Sequence, residues 1–152
     1  MKNSNEILDT MLGHHALIDL LLTTFKDALA QNLELAERLF DEFRWELDKH
    51  IFAEERVVFR FCEPLESEIC RIVLGLVKEH DLMIEMLNEV KSNLATKERP
   101  DISEFQELLT AHRQVEEKTL YPELDKKLDE TQKEMIIARV NEIPIKKEAG
   151  AI

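Results

Sequence analysis

Apolar residues recur at helical spacing along most of the chain, with charged residues between them. In the first segment they occupy every third or fourth position, and the stripe consists of Leu8, Met11, Leu12, His15, Ile18, Leu22, Phe25 and Leu29. Such spacing is typical of an amphipathic helix with one buried face. Similar stripes predict helices over residues 5–30, 33–61, 65–95 and 101–122, and a short fifth helix ends near residue 141. We find no run of β-branched residues bounded by turn residues that would predict a strand.

The ends of these helices are predicted from capping residues and prolines. Gln31 and Asn32 break the first helix, and Asn32 caps the second. The other boundary signals are prolines or capping pairs: Pro64 ending the second helix, Asp101 with Glu104 beginning the fourth, Pro122 kinking or closing it, and Thr131 with Glu134 beginning the fifth.

The fold class follows from the number of helices and the short connections between them. Four long helices joined by short turns pack as an up-down-up-down bundle, so the sequence predicts an all-α four-helix bundle with a short C-terminal fifth helix. The chain has 152 residues, with only 3 Gly and 4 Pro, which favours one helical domain. We predict this domain over residues 1–143 and a flexible tail over residues 144–152.

The net charge of the chain limits the classes of partner that it is expected to bind. The formal net charge is −12, so nucleic acid and anionic membrane surfaces are not expected as partners. No apolar run is long enough to span a membrane, and the N-terminus lacks the apolar core of a signal peptide. Cys62 and Cys70 are too few for a disulfide framework, so we expect reduced thiols and a cytoplasmic location.

Two short strings in the chain are near copies of each other. Residues 50–56 and 112–118 both read H-x-x-x-E-E-[RK], and an aromatic residue follows nine positions after each His, at Phe59 and Tyr121. A His and a Glu four positions apart lie on one helix face, one turn from each other. Two such pairs facing each other would bring two imidazoles and two carboxylates to one point.

Each of the four long stripes contains one polar break, and each break is a His. The candidate ligands are these four His and the first Glu of each repeat: His15, His50, Glu54, His80, His112 and Glu116. Buried carboxylates are costly unless they are paired or coordinate a metal, and two of them repel each other. A pair of cations removes both problems, because imidazoles bind iron, zinc, copper or nickel and carboxylates bridge two hard ions. The sequence therefore predicts a dinuclear site with two His for each metal and with both Glu as bridges.

The neighbours of these residues leave three choices. His14 and His15 cannot both point inward; we favour His15, because it continues the apolar stripe and shares its downstream pattern with His80. Glu55 and Glu117 lie about 100° round the helix from the bridging Glu, so we expect them to be solvated or to stand behind the ligands. Tyr121 either supports the site or only packs beside Pro122.

These residues resemble the hemerythrin family, and specifically its HHE cation-binding domain. The resemblance covers nearly the whole chain, from His15 to the string Leu120-Tyr121-Pro122. It implies a four-helix bundle that holds a non-haem di-iron centre, with two iron ions (Fe2+/Fe3+) joined by an oxo or hydroxo bridge and with zinc as a substitute. It also implies the ligand set: His15, His50, Glu54, His80, His112 and Glu116.

The chain departs from the oxygen-carrying hemerythrins at two points. Those proteins place two His one turn apart on the third ligand helix, whereas Leu76 and Ile84 flank His80 here. They also use an Asp near the last His, where this chain has Glu116. The chain looks more like the four-His, two-Glu members, which include di-iron proteins of iron–sulfur-cluster repair and sensors of iron or oxygen.

The function that these observations favour is a module that binds or senses a small diatomic ligand, O2 or NO, or responds to iron or redox state. An enzyme that reduces peroxide or NO, or repairs iron–sulfur clusters, at the same metals is the alternative. A second alternative is an iron store or a zinc-stabilised bundle. We favour binding over catalysis, and the sequence leaves any protein partner open.

Overall fold

The computed structural model describes residues 5–62 and 67–142. The described residues contain no β-strand and form helices joined by short turns: α1 (Glu6–Leu29), α2 (Leu33–Ala53), α3 (Ser67–Ala95), α4 (Ser103–Val115), α5 (Tyr121–Lys127) and α6 (Glu130–Glu142). The predicted all-α bundle is therefore confirmed. In this part of the chain no helix is both long enough and apolar enough to cross a lipid bilayer. The predictions for Pro64, for the beginning of the third helix at residue 65 and for the tail after residue 143 lie outside the described residues.

Both copies of the repeated string change their helical geometry at the same place. A π-helical turn, Glu54–Val58, follows α2, and a second one, Glu116–Leu120, joins α4 to α5. In each turn the next residue donates its N–H to the carbonyl oxygen of the turn's first residue, five positions back. Such wide turns inside helices occur often at functional sites. The repeat in the sequence is thus also a repeat in the backbone.

The π turns correct two predicted helix ends. The regular helix α2 ends at Ala53 instead of residue 61, and the π turn and a short 3-10 segment, Phe59–Cys62, complete the helical run. Pro122 does not close the fourth helix, because it lies in the first turn of α5, where its missing N–H costs little. The helical run therefore continues to Lys127.

Of the predicted caps, Asn32 caps its helix, whereas Asp101 accepts its hydrogen bonds one residue ahead of the N-cap position. The side chain of Asn32 accepts hydrogen bonds from the backbone N–H groups of Glu34 and Leu35, at 2.9 and 3.1 Å. Asp101 accepts hydrogen bonds from the backbone N–H and the hydroxyl group of Ser103. The N-cap residue is Ile102 without a side-chain capping hydrogen bond, so the predicted capping box of Asp101 and Glu104 was wrong, and the fourth helix begins at Ser103, two residues later than predicted.

The predicted cap of the last helix was wrong. Asp129 accepts a hydrogen bond from the backbone N–H of Gln132 at 2.8 Å, and the Gln132 side chain accepts one from the N–H of Asp129 at 3.0 Å. This reciprocal pair is a capping box. It begins α6 at Glu130, ahead of the predicted cap at Thr131.

The buried apolar residues form two clusters with a polar layer between them. The Tyr121 cluster includes Ile7, Met11, Val58, Leu76, Leu120, Tyr121, Leu124 and Ile136. The Phe43 cluster includes Ile18, Phe25, Phe40, Phe43, Leu47, Met83, Leu87, Phe105 and Leu109. Both α1 and α3 pass through the two clusters, and each carries a buried His between its part in one cluster and its part in the other. The polar layer therefore lies across the bundle, between the two apolar clusters.

A buried carboxylate holds the beginning of α1. The two oxygens of Asp125 accept hydrogen bonds from the backbone N–H groups of Ile7 and Leu8, at 2.8 and 3.0 Å. The Lys133 ammonium lies 3.7 Å from the same carboxylate, and both charged side chains are buried. The first N–H groups of a helix have no partner within it, so Asp125 satisfies them and connects α1, α5 and α6.

Asp125→Ala is expected to lower the free energy of unfolding by about 3 kcal/mol, because it removes an acceptor from two N–H groups and a carboxylate from a buried ammonium. Urea unfolding of the metal-free protein measures this change. Asp129→Ala is the control; it removes only an exposed helix cap and is expected to cost about 1 kcal/mol. Equal losses in the two variants would contradict the structural role given to Asp125.

Candidate metal centre

The polar layer brings together the six residues predicted as ligands. Each of α1, α2, α3 and α4 supplies one imidazole, and each π turn begins with one carboxylate. All six side chains are buried, and the two carboxylates are fully enclosed: His15, His50, Glu54, His80, His112 and Glu116. Because each Glu opens a π turn one helical turn after a His, both carboxylates point into the same layer.

The ligand atoms fall into two groups that share both carboxylates. One group contains His15 and His50, and the other contains His80 and His112; Glu54 and Glu116 belong to each. Within a group the candidate ligand atoms lie within 4.8 Å of one another. Each group could therefore hold one metal ion, with the carboxylates between the two ions.

The distances between ligand atoms suit a cation. The Nε2 atoms of His15 and His50 are 3.1 Å apart, and so are those of His80 and His112. Two nitrogens that bind one ion at about 2.1 Å and at a right angle lie about 3.0 Å from each other. The spacing that the helices impose is therefore the spacing that a shared ion requires.

Three further carboxylates determine which nitrogen carries the proton in three of the four imidazoles. They lie against Nδ1 at hydrogen-bond distance, in the pairs Glu117–His15 at 2.6 Å, Glu55–His80 at 2.8 Å and Glu79–His112 at 2.8 Å. A carboxylate accepts the Nδ1 proton, which leaves the Nε2 lone pair for a metal. Lone pairs that face each other at 3.1 Å repel, and a cation between them removes that repulsion.

Glu116 provides an independent test of the fit to a metal. Neither of its carboxylate oxygens receives a hydrogen bond, although they lie 3.3 Å from the Nε2 atom of His15 and 3.0 Å from that of His112. A fully buried carboxylate without hydrogen bonds is costly unless a cation or a proton neutralises it. The six residues therefore fit a metal centre better than a self-contained polar core.

The two enclosed carboxyl groups differ in their pKa values. Burial and the charge of Glu54 raise the pKa of Glu116 well above its usual value. Burial acts in the same direction on Glu54, but the imidazole of His50 and hydrogen bonds from neighbouring side chains hold the pKa of Glu54 well below its usual value. Of the two groups, Glu116 is therefore the one that takes up a proton first as the pH falls.

Most of the shifts at the imidazoles favour the neutral form that binds metals. Burial and the nearby His50 lower the pKa of His15 to about 2. Burial also lowers the pKa of His112. At His80 burial is outweighed by hydrogen bonds and charge from Glu54 and Glu55, so its pKa is raised. Binding of a cation at His80 therefore competes with a proton.

The aromatic residues of the two repeats both contact the site. Phe59 stacks on His80, with ring centroids 5.7 Å apart and an interplanar angle of 10°. The fully buried Tyr121 donates a short hydrogen bond from its hydroxyl group to Glu54, and its oxygen lies 3.5 Å from the Nε2 atom of His15. Tyr121 thus supports the site, beyond packing beside Pro122.

Tyr121→Phe is expected to lower the free energy of unfolding of the metal-free protein by about 2 kcal/mol, because it removes a hydrogen bond to a buried carboxylate. The variant is expected to keep its metal, since the four imidazoles and two carboxylates of the ligand groups remain and the phenol acts on them through its hydrogen bond to Glu54. Urea unfolding and elemental analysis test both statements. Loss of metal from this variant would show that the phenol itself is a ligand.

The structure decides between the roles that the sequence left open for the residues next to the candidate ligands. The structure places His15 in a candidate ligand group, whereas His14 is half-buried and its ring meets that of His50 edge-on, with centroids 5.9 Å apart. Glu55 and Glu117 lie at hydrogen-bond distance from the Nδ1 atoms of His80 and His15. This agrees with the expectation that they stand behind the ligands and not with the expectation that they are solvated. Sequence reasoning missed Glu79, although its place directly before His80 matches the place of His14 before His15.

The fold and the site together define a class: a helical bundle that carries a buried His and Glu metal-binding layer. The family model described as the hemerythrin HHE cation binding domain matches residues 6–134. The chain therefore belongs to the hemerythrin HHE cation-binding family, and the resemblance noted in the sequence is confirmed. No curated protein and no solved structure shows significant similarity to the chain.

Proposed function

We propose that this protein is a non-haem di-iron protein that binds or senses a diatomic gas, O2 or NO, or responds to the availability and redox state of iron. The observation that carries the proposal is the pair of ligand groups that share Glu54 and Glu116. Shared carboxylates favour two hard ions held close together. Iron combines affinity for imidazole and carboxylate with a change of valence, which zinc lacks.

The space beside the ligands supports a very small ligand. A void of about 10 Å³ borders all four ligand imidazoles and Glu116. Its remaining walls are mostly apolar and include Ile18, Leu47, Ile51, Met83 and Leu109. A void of this size holds about one water molecule. Such a site suits a ligand of one or two atoms better than an organic substrate.

The chain's own residues have distinct tasks in this proposal. The four Nε2 atoms would hold the ions, and Glu54 and Glu116 would lie between them. Glu55, Glu79 and Glu117 keep the proton on Nδ1 of their imidazoles, which makes Nε2 the better ligand. The apolar walls limit the access of bulk water, and iron, when bound, would supply the change of valence.

Stopped-flow absorbance on the Fe2+-loaded protein, prepared without oxygen, tests the gas ligand. Mixing with O2 or NO is expected to produce new visible absorption with a stoichiometry set by the bound iron. Zinc-loaded protein is the matched control and is expected to give no change. If neither gas changes the spectrum of the iron-loaded protein, it does not bind or sense these gases.

The same preparation distinguishes binding from catalysis and from metal storage. A binding or sensing protein is expected to stop after about two electrons per site when peroxide or NO is supplied with a reductant. Continued turnover would favour the enzymatic alternative. Elemental analysis that finds only zinc, together with failure to take up iron, would instead favour a zinc-stabilised bundle.

A further inference from the structure

The carboxylates that lie against the Nδ1 atoms of the imidazoles occur at equivalent positions in the two halves of the internal repeat. In each repeat, the residue after the shared Glu contacts an imidazole of the other half: Glu55 contacts His80, and Glu117 contacts His15. The residue before His80, Glu79, contacts His112. By the same rule, the residue before His15 should contact His50 with a fourth carboxylate.

The fourth carboxylate is missing, because position 14 is a His. The rings of His14 and His50 meet edge-on, with centroids 5.9 Å apart and an interplanar angle of 73°. Nδ1 of His50 is buried and has no hydrogen-bond partner. His50 is the one of the four ligand imidazoles whose Nδ1 has no carboxylate behind it.

The missing carboxylate at His50 makes the two ligand groups unequal. In the group of His80 and His112 both imidazoles have a carboxylate behind them, whereas in the group of His15 and His50 only His15 has one. Carboxylates that orient a ligand imidazole and raise its basicity change metal affinity by about 10–100-fold. The two metal positions should therefore differ in affinity although their ligand atoms are the same.

We propose that the metal position at His80 and His112 is filled first, that the position at His15 and His50 is the weaker and exchangeable one, and that His14 is the positioning residue that sets the difference. This inference rests on the dinuclear site of the proposed function but not on any gas. A protein with these properties carries one ion over a range of free iron concentrations and two above it. Such behaviour suits a response to iron availability.

The region around His14 has room for the residue that the repeat predicts. A cavity of about 150 Å³ is lined by His14 and His50 together with Gly13, Leu17, Glu46, Lys49 and Val140. A Glu side chain is no larger than the imidazole that it would replace. His14→Glu should therefore be able to place a carboxylate against Nδ1 of His50, as Glu79 does for His112.

Titration of the metal-free full-length chain with Zn2+ tests the order of binding. Competition with a chelator is expected to give two binding constants that differ at least tenfold. Zinc is diamagnetic, so the histidine ring signals can be followed by NMR. The first equivalent should shift those of His80 and His112, and the second those of His15 and His50.

Variants at positions 14 and 79 test the cause of the difference. His14→Glu is expected to raise the affinity of the second step about tenfold or more, and Glu79→Ala to lower that of the first step about 10–100-fold. Ala16→Glu is the matched control, because it adds the same charge at an exposed position of α1 and should change neither step by more than about twofold.

The inference is overturned if both equivalents bind with one constant, or if the first equivalent shifts the signals of His15 and His50. It is also overturned if His14→Glu, folded by circular dichroism, binds the second ion like the wild type. Should that variant not fold, an unchanged first step in Glu79→Ala overturns it. The zinc binding constants do not depend on whether the protein binds O2 or NO. The gas experiments can therefore contradict the proposed function without contradicting this inference.

Discussion

Glu54→Gln and Glu116→Gln are each expected to remove both metal ions from the protein. Each carboxylate belongs to both ligand groups, whereas each imidazole belongs to one. The amide keeps the size of the side chain but lacks the negative charge that offsets two neighbouring cations. Metal content is expected to fall from about two ions per chain to fewer than one, while a single His variant such as His50→Ala should lose mainly one.

Elemental analysis after metal loading and gel filtration measures this change. Glu107→Gln is the matched control, because Glu107 is an exposed carboxylate on the same helix as His112 and should leave metal content unchanged. Circular dichroism confirms that each variant is folded. Retention of one tightly bound ion by Glu54→Gln and by Glu116→Gln would show that the two metal positions do not share the carboxylates, and it would contradict the dinuclear assignment.

Removal of metal from the wild-type protein is expected to lower its melting temperature by about 15–30 °C. An ion present at a thousand times its Kd stabilises the folded state by about 4 kcal/mol, and two ions by about 8 kcal/mol. For a chain of this size, 1 kcal/mol corresponds to about 2–4 °C. The physical source is the polar layer, in which four imidazoles and two carboxyl groups are buried together and only a bound cation offsets the cost of their burial.

Differential scanning calorimetry of metal-loaded and chelated protein measures the shift. Glu116→Gln supplies the control, since a variant that binds no metal should melt at the same temperature with and without chelator. A shift smaller than about 5 °C in the wild type would mean that the layer is stable without cations. In that case the six residues would form a self-contained polar core.

The part of the site that was predictable from the sequence lies on the inward faces of helices. His15 and His80 interrupt apolar stripes, and the pairs His50–Glu54 and His112–Glu116 have the spacing of one helical turn. Helical periodicity alone determines which face such residues occupy. For that reason the same six residues are found together in one buried layer.

Other features depend on contacts that periodicity does not encode. Asp125 holds the beginning of α1 across 118 positions of sequence from Ile7, and nothing local marks it as buried. Glu79 was missed because its position on the helix is that of a solvated residue, and only the neighbouring helix brings Nδ1 of His112 within 2.8 Å. The π turns escaped prediction because a repeated string does not reveal a change in hydrogen-bond register.

By itself, the sequence determined the bundle, the ligand residue types and the internal repeat, because all three follow from spacing along a helix. Only the tertiary structure decided which imidazoles form a pair, which carboxylate stands behind each one, and that His50 has none. These are relations between helices, set by how the bundle packs. Helix spacing selects the faces that meet, whereas packing determines which atoms on those faces come within hydrogen-bond distance.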